Sequence, residues 1–278
     1  MHIFTEALTL SQFLSVVKKQ GKMIGFIPTM GALHEGHLSL VRTAKAQCDV
    51  TVVSIFVNPT QFGPKEDLEH YPRTLEQDQN LLKAEGVDCL FFPSEKEIYP
   101  FGKHDATRVE VPQLSKQACG KSRPHHFRGV TMVVNRLLNV VQPDKAYFGE
   151  KDFQQYVIIQ RMVSDLLMPV TIVACPIVRE VDGLALSSRN RYLSSSERHT
   201  AASIFKGLSE AKKIFSEGES RVRVLCQRVV KTVPLLKIDY VVCVDPLSFQ
   251  KKTKVSVGDR LLFAGYLGKT RLIDNVAL

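Results

Sequence analysis

Apolar and polar positions alternate in two different styles along this chain. In the first two-thirds, the short apolar runs Met23–Ile27, Val50–Val57, Val87–Phe92, Ala146–Phe148 and Val170–Cys175 read as buried strands. Between and after them, His37–Gln47, Thr74–Ala84, Val130–Val141 and Phe153–Leu167 place apolar residues at helical spacing. Strands separated by such helices predict parallel βαβ units and a doubly wound sheet. In such sheets ligands bind beyond the carboxyl ends of the strands, so the loops leaving those ends are where chemistry is expected. Past Asp182 the style changes. Arg191–Phe215 and Arg221–Val233 are predicted as helices, and Asp239–Val244 and Arg260–Ala264 as strands, with a hairpin-like turn at Val257-Gly258-Asp259. The expected fold is α/β: a larger domain over residues 1–178 and a smaller α+β domain over 179–278, joined near Val178–Asp182. No internal repeat or low-complexity segment interrupts it.

Composition narrows the class. The 278 residues are 44% hydrophobic and 23% charged, which is enough apolar material for a full core. No stretch reaches the ~18 consecutive apolar residues of a membrane helix, and Met1–Leu10 lacks the pattern of a secretory signal, so a cytoplasmic protein is expected. The six cysteines contain no CxxC pair, and Cys89, Cys175 and Cys243 fall inside apolar runs, so free buried thiols are expected rather than disulfides or zinc. The net charge of +9 suits an anionic partner. The densest basic cluster is only Gln250–Lys254, without interleaved aromatics, which favours a phosphate-binding cleft over nucleic acid.

Three loops invite an anion. After the first central strand comes Pro28-Thr-Met-Gly-Ala-Leu-His-Glu-Gly-His37, where Gly31 and Gly36 permit a sharp turn and a helix N-terminus offers N–H groups to a phosphate. His34 and His37 stand three apart, so this is not the HExxH zinc motif; GxxxxGK[ST] and GxGxxG are absent as well. The second loop is Tyr147–Asp152, in which Lys151 can meet a phosphate and Asp152 can cap a helix, orient a ribose or orient a magnesium-bound water. The third is Leu184–Asn190, with Ser187, Ser188 and Arg189 in tandem; taken alone it also reads as a polar hinge. A fourth segment, Phe56–Phe62, supplies the amides Asn58 and Gln61, which suit a hydroxylated carboxylic acid, and Gln155 can serve the same substrate. Ser122–Arg128 gathers Arg123, His125, His126 and Arg128 as either an anion contact or a solvated loop.

In IPTMGALHEGH, FVNPTQF, YPRTLEQD, HFRGV, VVQPDKAYFGEKDFQQ and DGLALSSRN, in that order and over nearly its whole length, the chain resembles the pantoate–β-alanine ligase (pantothenate synthetase) family. That family is related to the class I aminoacyl-tRNA synthetases, whose HIGH and KMSKS elements His34–His37 and Leu186–Arg189 resemble. The resemblance implies a Rossmann-like fold and the reaction of (R)-pantoate, β-alanine and ATP to pantothenate, AMP and diphosphate through pantoyl adenylate. It implies ATP contacts at Met30, Gly31, Ala32, Leu33, His34, Glu35, Gly36, His37, Gly149, Glu150, Lys151, Asp152, Val178, Leu186, Ser187, Ser188 and Arg189. The resemblance implies catalytic roles for His37 as the acid, His34 as stabilising the α-phosphate and Lys151 as holding phosphate; His37 reads better as a hydrogen-bond donor to the α- or β-phosphate than as an obligatory proton shuttle. The resemblance further implies that Gln61 grips pantoate and β-alanine and Gln155 grips pantoate, with Asn58, Arg123 and His126 as neighbours. Magnesium is expected to arrive on ATP without a protein metal site, and a homodimer follows from the family alone. His125 stands where the family commonly has glycine; if that position calls for positive φ, His125 must adopt it or the loop must shift.

Two other readings compete. A nucleotidyltransferase of the same fold would keep the histidine and Ser-Ser-Arg loops but would not need both Gln61 and Gln155. An RNA-binding module built on the same core would show salt-sensitive RNA affinity and no turnover. The smaller domain is a candidate lid, because Leu186–Arg189 lies just past the joint.

Overall fold

A computed structural model describes residues 1–64, 66 and 68–278. In chain order the elements are β1 (His2–Phe4), α1 (Ala7–Lys19), β2 (Ile24–Thr29), α2 (Glu35–Gln47), β3 (Val50–Ile55), α3 (Leu75–Ala84) and β4 (Cys89–Phe91). The short helices α4 (Glu95–Ile98), α5 (Pro112–Ser115) and α6 (Cys119–Ser122) lead to α7 (His126–Val141), β5 (Lys145–Gly149), α8 (Phe153–Asp165) and β6 (Thr171–Cys175). Then come α9 (Ser195–Ala201), α10 (Ser203–Ser216), α11 (Val222–Thr232), β7 (Lys237–Val244), β8 (Arg260–Leu267) and β9 (Thr270–Ala277).

The chain divides into two compact units. The first holds Met1–Glu150 and Ile158–Pro176; the second holds Lys151–Val157 and Ile177–Leu278. The division is discontinuous because the segment after β5 is gripped from β8 and β9: the Asn275 amide donates to the Lys151 carbonyl (3.2 Å), and Arg260 lies 4.5 Å over the Phe153 ring.

In the first unit the described strands form a six-stranded, all-parallel sheet in the order β1-β4-β3-β2-β5-β6, a Rossmann-like arrangement. Every residue of β3 is buried, as a parallel strand covered on both faces requires. From β2 the chain winds outward through β3 to β4, then returns to place β5 on the other side of β2. The switch point therefore falls between the carboxyl ends of β2 and β5, and the histidine loop leaves one of them. Leu40, Val41 and Ala44 of α2 pack with Val53, Leu82 and Leu90 on one face. Each such leucine, fully buried, contributes roughly 1.5–3 kcal/mol.

In the second unit β7, β8 and β9 form an antiparallel sheet against α10 and α11, with a core that includes Leu208, Leu225, Val229, Leu261 and Phe263. Several expectations are corrected here. The tight hairpin lies between β8 and β9 at Gly268-Lys269, whereas Val257–Asp259 only leads into β8. The helix expected over Arg191–Phe215 is a one-turn segment, Ser188–Tyr192, followed by α9 and α10 with a break at Ala202; the Ser194–Glu197 capping box sets the start of α9. Among the described residues no helix is long and apolar enough to cross a membrane. All six cysteines are free thiols.

Candidate active site

β2 delivers the histidine loop through a sharp turn. Gly31 (φ +79) and Ala32 (φ +50) both adopt left-handed backbone, which glycine tolerates and alanine enters only at a cost of roughly 1–2 kcal/mol. Asp78 of α3 holds the turn from beneath: Oδ2 accepts from Ala32 N (2.9 Å), and Oδ1 accepts from Leu33 N (2.8 Å) and from the Thr74 hydroxyl (3.2 Å). Helix α2 then starts with His34 as its N-cap, whose Nδ1 accepts from Gly36 N (3.1 Å). His37 Nδ1 in turn accepts from His34 N (3.3 Å). A backbone N–H can only donate, so both Nδ1 atoms are unprotonated and each neutral ring carries its proton on Nε2. The rings lie 4.1 Å apart, tilted by 36°.

Four of the loop's backbone N–H groups are engaged within the protein: Asp78 accepts those of Ala32 and Leu33, and the two imidazoles accept those of Gly36 and His34. The ring Nε2–H groups add donors of a kind suited to an anion. Glu35 points away: its carboxylate pairs with Arg42, which also binds Glu85, and the guanidinium holds Glu35 below the usual carboxylate range.

The amide segment adjoins this loop. Asn58 is 1% exposed and fully committed: Oδ1 accepts from Tyr99 OH (2.8 Å) and from Thr60 Oγ1 (3.0 Å) and N (3.3 Å), while Nδ2 donates to Gly129 O and to Gln61 Oε1 (both 3.1 Å). The Gly129 carbonyl fixes which end of Asn58 is the donor, so Gln61 must accept through Oε1 and turn its Nε2 to Met30 Sδ (3.0 Å). Asn58 thus aims Gln61 and has no group left for a substrate. Gly129 lets α7 press on this turn, since a Cβ there would sit 2.4 Å from the Thr60 carbonyl oxygen. His126 Nδ1 donates to Gln61 O (2.9 Å), and Arg123 forms a two-pronged pair with Glu66. Both side chains brace the turn, Arg123 also reaching the Gln61 carbonyl at 3.5 Å. His125 has φ −106, so no left-handed residue is needed there.

Most of the other residues named from the sequence lie in the second unit. Gly149 ends β5 and Glu150 follows it in the first unit; then Lys151 Nζ stands 3.8 Å from Asp152 Oδ2, and Gln155 is half-buried on α8. Val178 and Leu186 face each other across a short hairpin, Leu186 N donating to Val178 O (3.0 Å). Arg179 anchors that hairpin with a fork onto Asp274 (2.6 and 2.9 Å), a bond to Gly183 O and a stack 4.0 Å over Phe205. Ser187 then caps the Ser188–Tyr192 turn, its Oγ accepting from Arg189 N (3.3 Å).

Asp78, Tyr99 and Gly129 were not among the residues expected from sequence to matter at the site. For Asp78 a signal existed: Leu75, Asp78 and Leu82 share the inward stripe of α3, where a carboxylate without a partner would not be tolerated.

A Rossmann-like sheet with a paired-histidine loop at its switch point places the molecule among the α/β proteins that bind ligands beyond the carboxyl ends of their strands. Residues 2–277 match the family model described as pantoate-beta-alanine ligase, and the chain belongs to that family, whose members form a carbon–nitrogen bond. A pantothenate synthetase from Sulfurihydrogenibium sp. (strain YO3AOP1) is 51% identical over 99% of both chains. The structure of the Thermus thermophilus pantothenate synthetase aligns with a TM-score of 0.93 at 43% identity, covering 100% of this chain and 99% of that one. The Francisella tularensis pantoate-beta-alanine ligase, complexed with beta-gamma ATP and beta-alanine, aligns at 0.82 and 38%, covering 100% and 97%.

Proposed function

We propose that this ligase joins (R)-pantoate to β-alanine in two steps, with Mg–ATP as co-substrate. In the first, a pantoate carboxylate oxygen attacks the α-phosphorus of ATP and diphosphate leaves, giving pantoyl adenylate. In the second, the neutral amine of β-alanine attacks the adenylate carbonyl, loses its proton, and AMP leaves. A free carboxylate is a poor acyl donor; the mixed anhydride has AMP as a good leaving group.

The observation that carries this reading is the neighbourhood of Gln61 and the histidine loop. The Gln61 amide, aimed by Asn58, contacts Met30, and four residues on in the same loop begin the two Nε2–H donors of His34 and His37. An amide that grips a hydroxy acid thus stands beside donors suited to phosphate oxygens whose charge grows as diphosphate departs. Carried over by motif, Met30–His37, Gly149, Glu150, Asp152, Val178 and Leu186 are assigned to ATP, Lys151, Ser187, Ser188 and Arg189 to its phosphates, Gln61 to pantoate and β-alanine, and Gln155 to pantoate. Magnesium is carried on the phosphates.

The test is AMP formation from Mg–ATP and (R)-pantoate, with and without β-alanine, for the parent and His37→Ala. Sustained AMP release is expected only with both organic substrates, and it should fall on the order of 10²–10³-fold in the variant. AMP release indifferent to pantoate and β-alanine would sink the reading.

A further inference from the structure

Two consecutive N–H groups converging from a left-handed turn make an anion-binding nest. In this chain the nest after β2 is already filled, and by the protein itself. Gly31 and Ala32 turn left-handed, and the N–H groups of Ala32 and Leu33 close on the two oxygens of Asp78, 46 and 45 residues away in sequence. The carboxylate is 1% exposed and takes a third bond from Thr74 Oγ1. Its fit is close: a Cβ at Gly31 would sit 3.0 Å from Asp78 Oδ2 and 3.0 Å from Ile55 Cγ2.

We infer that Asp78 is a positioning residue for adenylation, an internal anion that holds the histidine loop in the one conformation in which both imidazoles donate through Nε2. The chain of cause is short. The carboxylate fixes the backbone of Ala32 and Leu33; that sets the direction of the His34 N–H, which the His37 ring accepts, while the His34 ring accepts from Gly36 N. With the turn fixed, both tautomers are fixed. Asp78 also denies the nest to a triphosphate. A phosphate seated there would have to take the place of the Asp78 carboxylate on the α3 side of the loop. The inference rests on the reaction proposed above and deepens it.

Asp78→Asn is the discriminating variant. It conserves shape, keeps one acceptor and sets an NH2 donor against the other loop N–H. Three readouts decide: pyrophosphate release in a single turnover of Mg–ATP and (R)-pantoate, the β-alanine-dependent chase of adenylate formed beforehand, and the ring 15N shifts of His34 and His37. Expected are a folded protein, adenylation slowed at least thirtyfold in kcat with the KM for pantoate within about threefold, and a chase within about threefold. The ring shifts should move from one tautomer to a mixture. Thr74→Val should slow the same step by about threefold to tenfold, and it decides alone by the same split if Asp78→Asn does not fold. Adenylation within twofold of the parent, equal loss in both steps, or unchanged ring shifts would overturn the inference. A parent enzyme that makes no AMP would instead overturn the underlying reaction.

Discussion

At the scale of single residues, the candidate site is organised by side chains whose polar groups are spent on one another. Asn58 spends one donor on Gln61 in its own turn and the other on the Gly129 carbonyl, and Tyr99, 2% exposed, is a donor that keeps Asn58 Oδ1 in place. Burial pushes the Tyr99 phenol above its ordinary value, so it remains protonated and donating. Replacing it by phenylalanine removes one bond while Thr60 still serves Asn58 through its N–H and hydroxyl. Tyr99→Phe is therefore expected to cost about 1 kcal/mol in urea unfolding and to raise the KM for pantoate more than it lowers kcat, because Gln61 is aimed less firmly. A kcat loss at unchanged KM would show that Asn58 does not act through Gln61. The sequence carried the types of these residues but not their directions. Asn58 and Gln61 both look like substrate amides in FVNPTQF, and only the Gly129 carbonyl, 71 residues from Asn58, shows that one of them aims the other.

At the scale of elements, what was legible followed the strength of the local signal. The central strands read clearly because parallel strands buried on both faces are continuous apolar runs. Strand β1 has three residues, and α1 opens at Glu6 with no side-chain cap, so neither carried a start signal. Strand β9 was hidden by Asp274 and Asn275, polar residues buried at 3% and 2% that interrupt an apolar run in order to hold Arg179 and Lys151. Element packing also explains Gly129. The first turn of α7 lies against the backbone of Thr60 and Gln61, and the atoms a Cβ would strike are main-chain atoms, which cannot rotate away. Gly129→Ala should therefore push α7 from the amide turn. The expected cost is about 1–3 kcal/mol in stability, with kcat/KM for pantoate lowered on the order of tenfold or more. Steady-state kinetics well below the variant's melting temperature separate the two effects; normal kcat/KM there would mean the turn tolerates the shift.

At the scale of the whole molecule, buried thiols in both units link folding to pH in one direction. Cys89 in the first unit and Cys243 in the second are each pushed by burial from 9.0 up to about 12, and Cys226 to about 11. These are groups whose charged form the core rejects, so the native state keeps the proton that the unfolded chain releases near 9.0. Below that pH both states hold the proton and folding gains in full. Above it the unfolded state alone ionises, and stability falls with rising pH until the native thiols also ionise at about 11 to 12. One such thiol loses about 1 kcal/mol of stabilisation between pH 8 and pH 10, and three of them outweigh most surface ion pairs. Urea unfolding at the two pH values measures this. The parent is expected to lose stability over that interval, and Cys243→Ala should start less stable, because it leaves a small cavity, but decline less steeply. A slope unchanged in the variant would assign the alkaline loss to other groups. Because Cys89 and Cys243 belong to different cores, the paired variants Cys89→Ala and Cys243→Ala should reduce the slope additively.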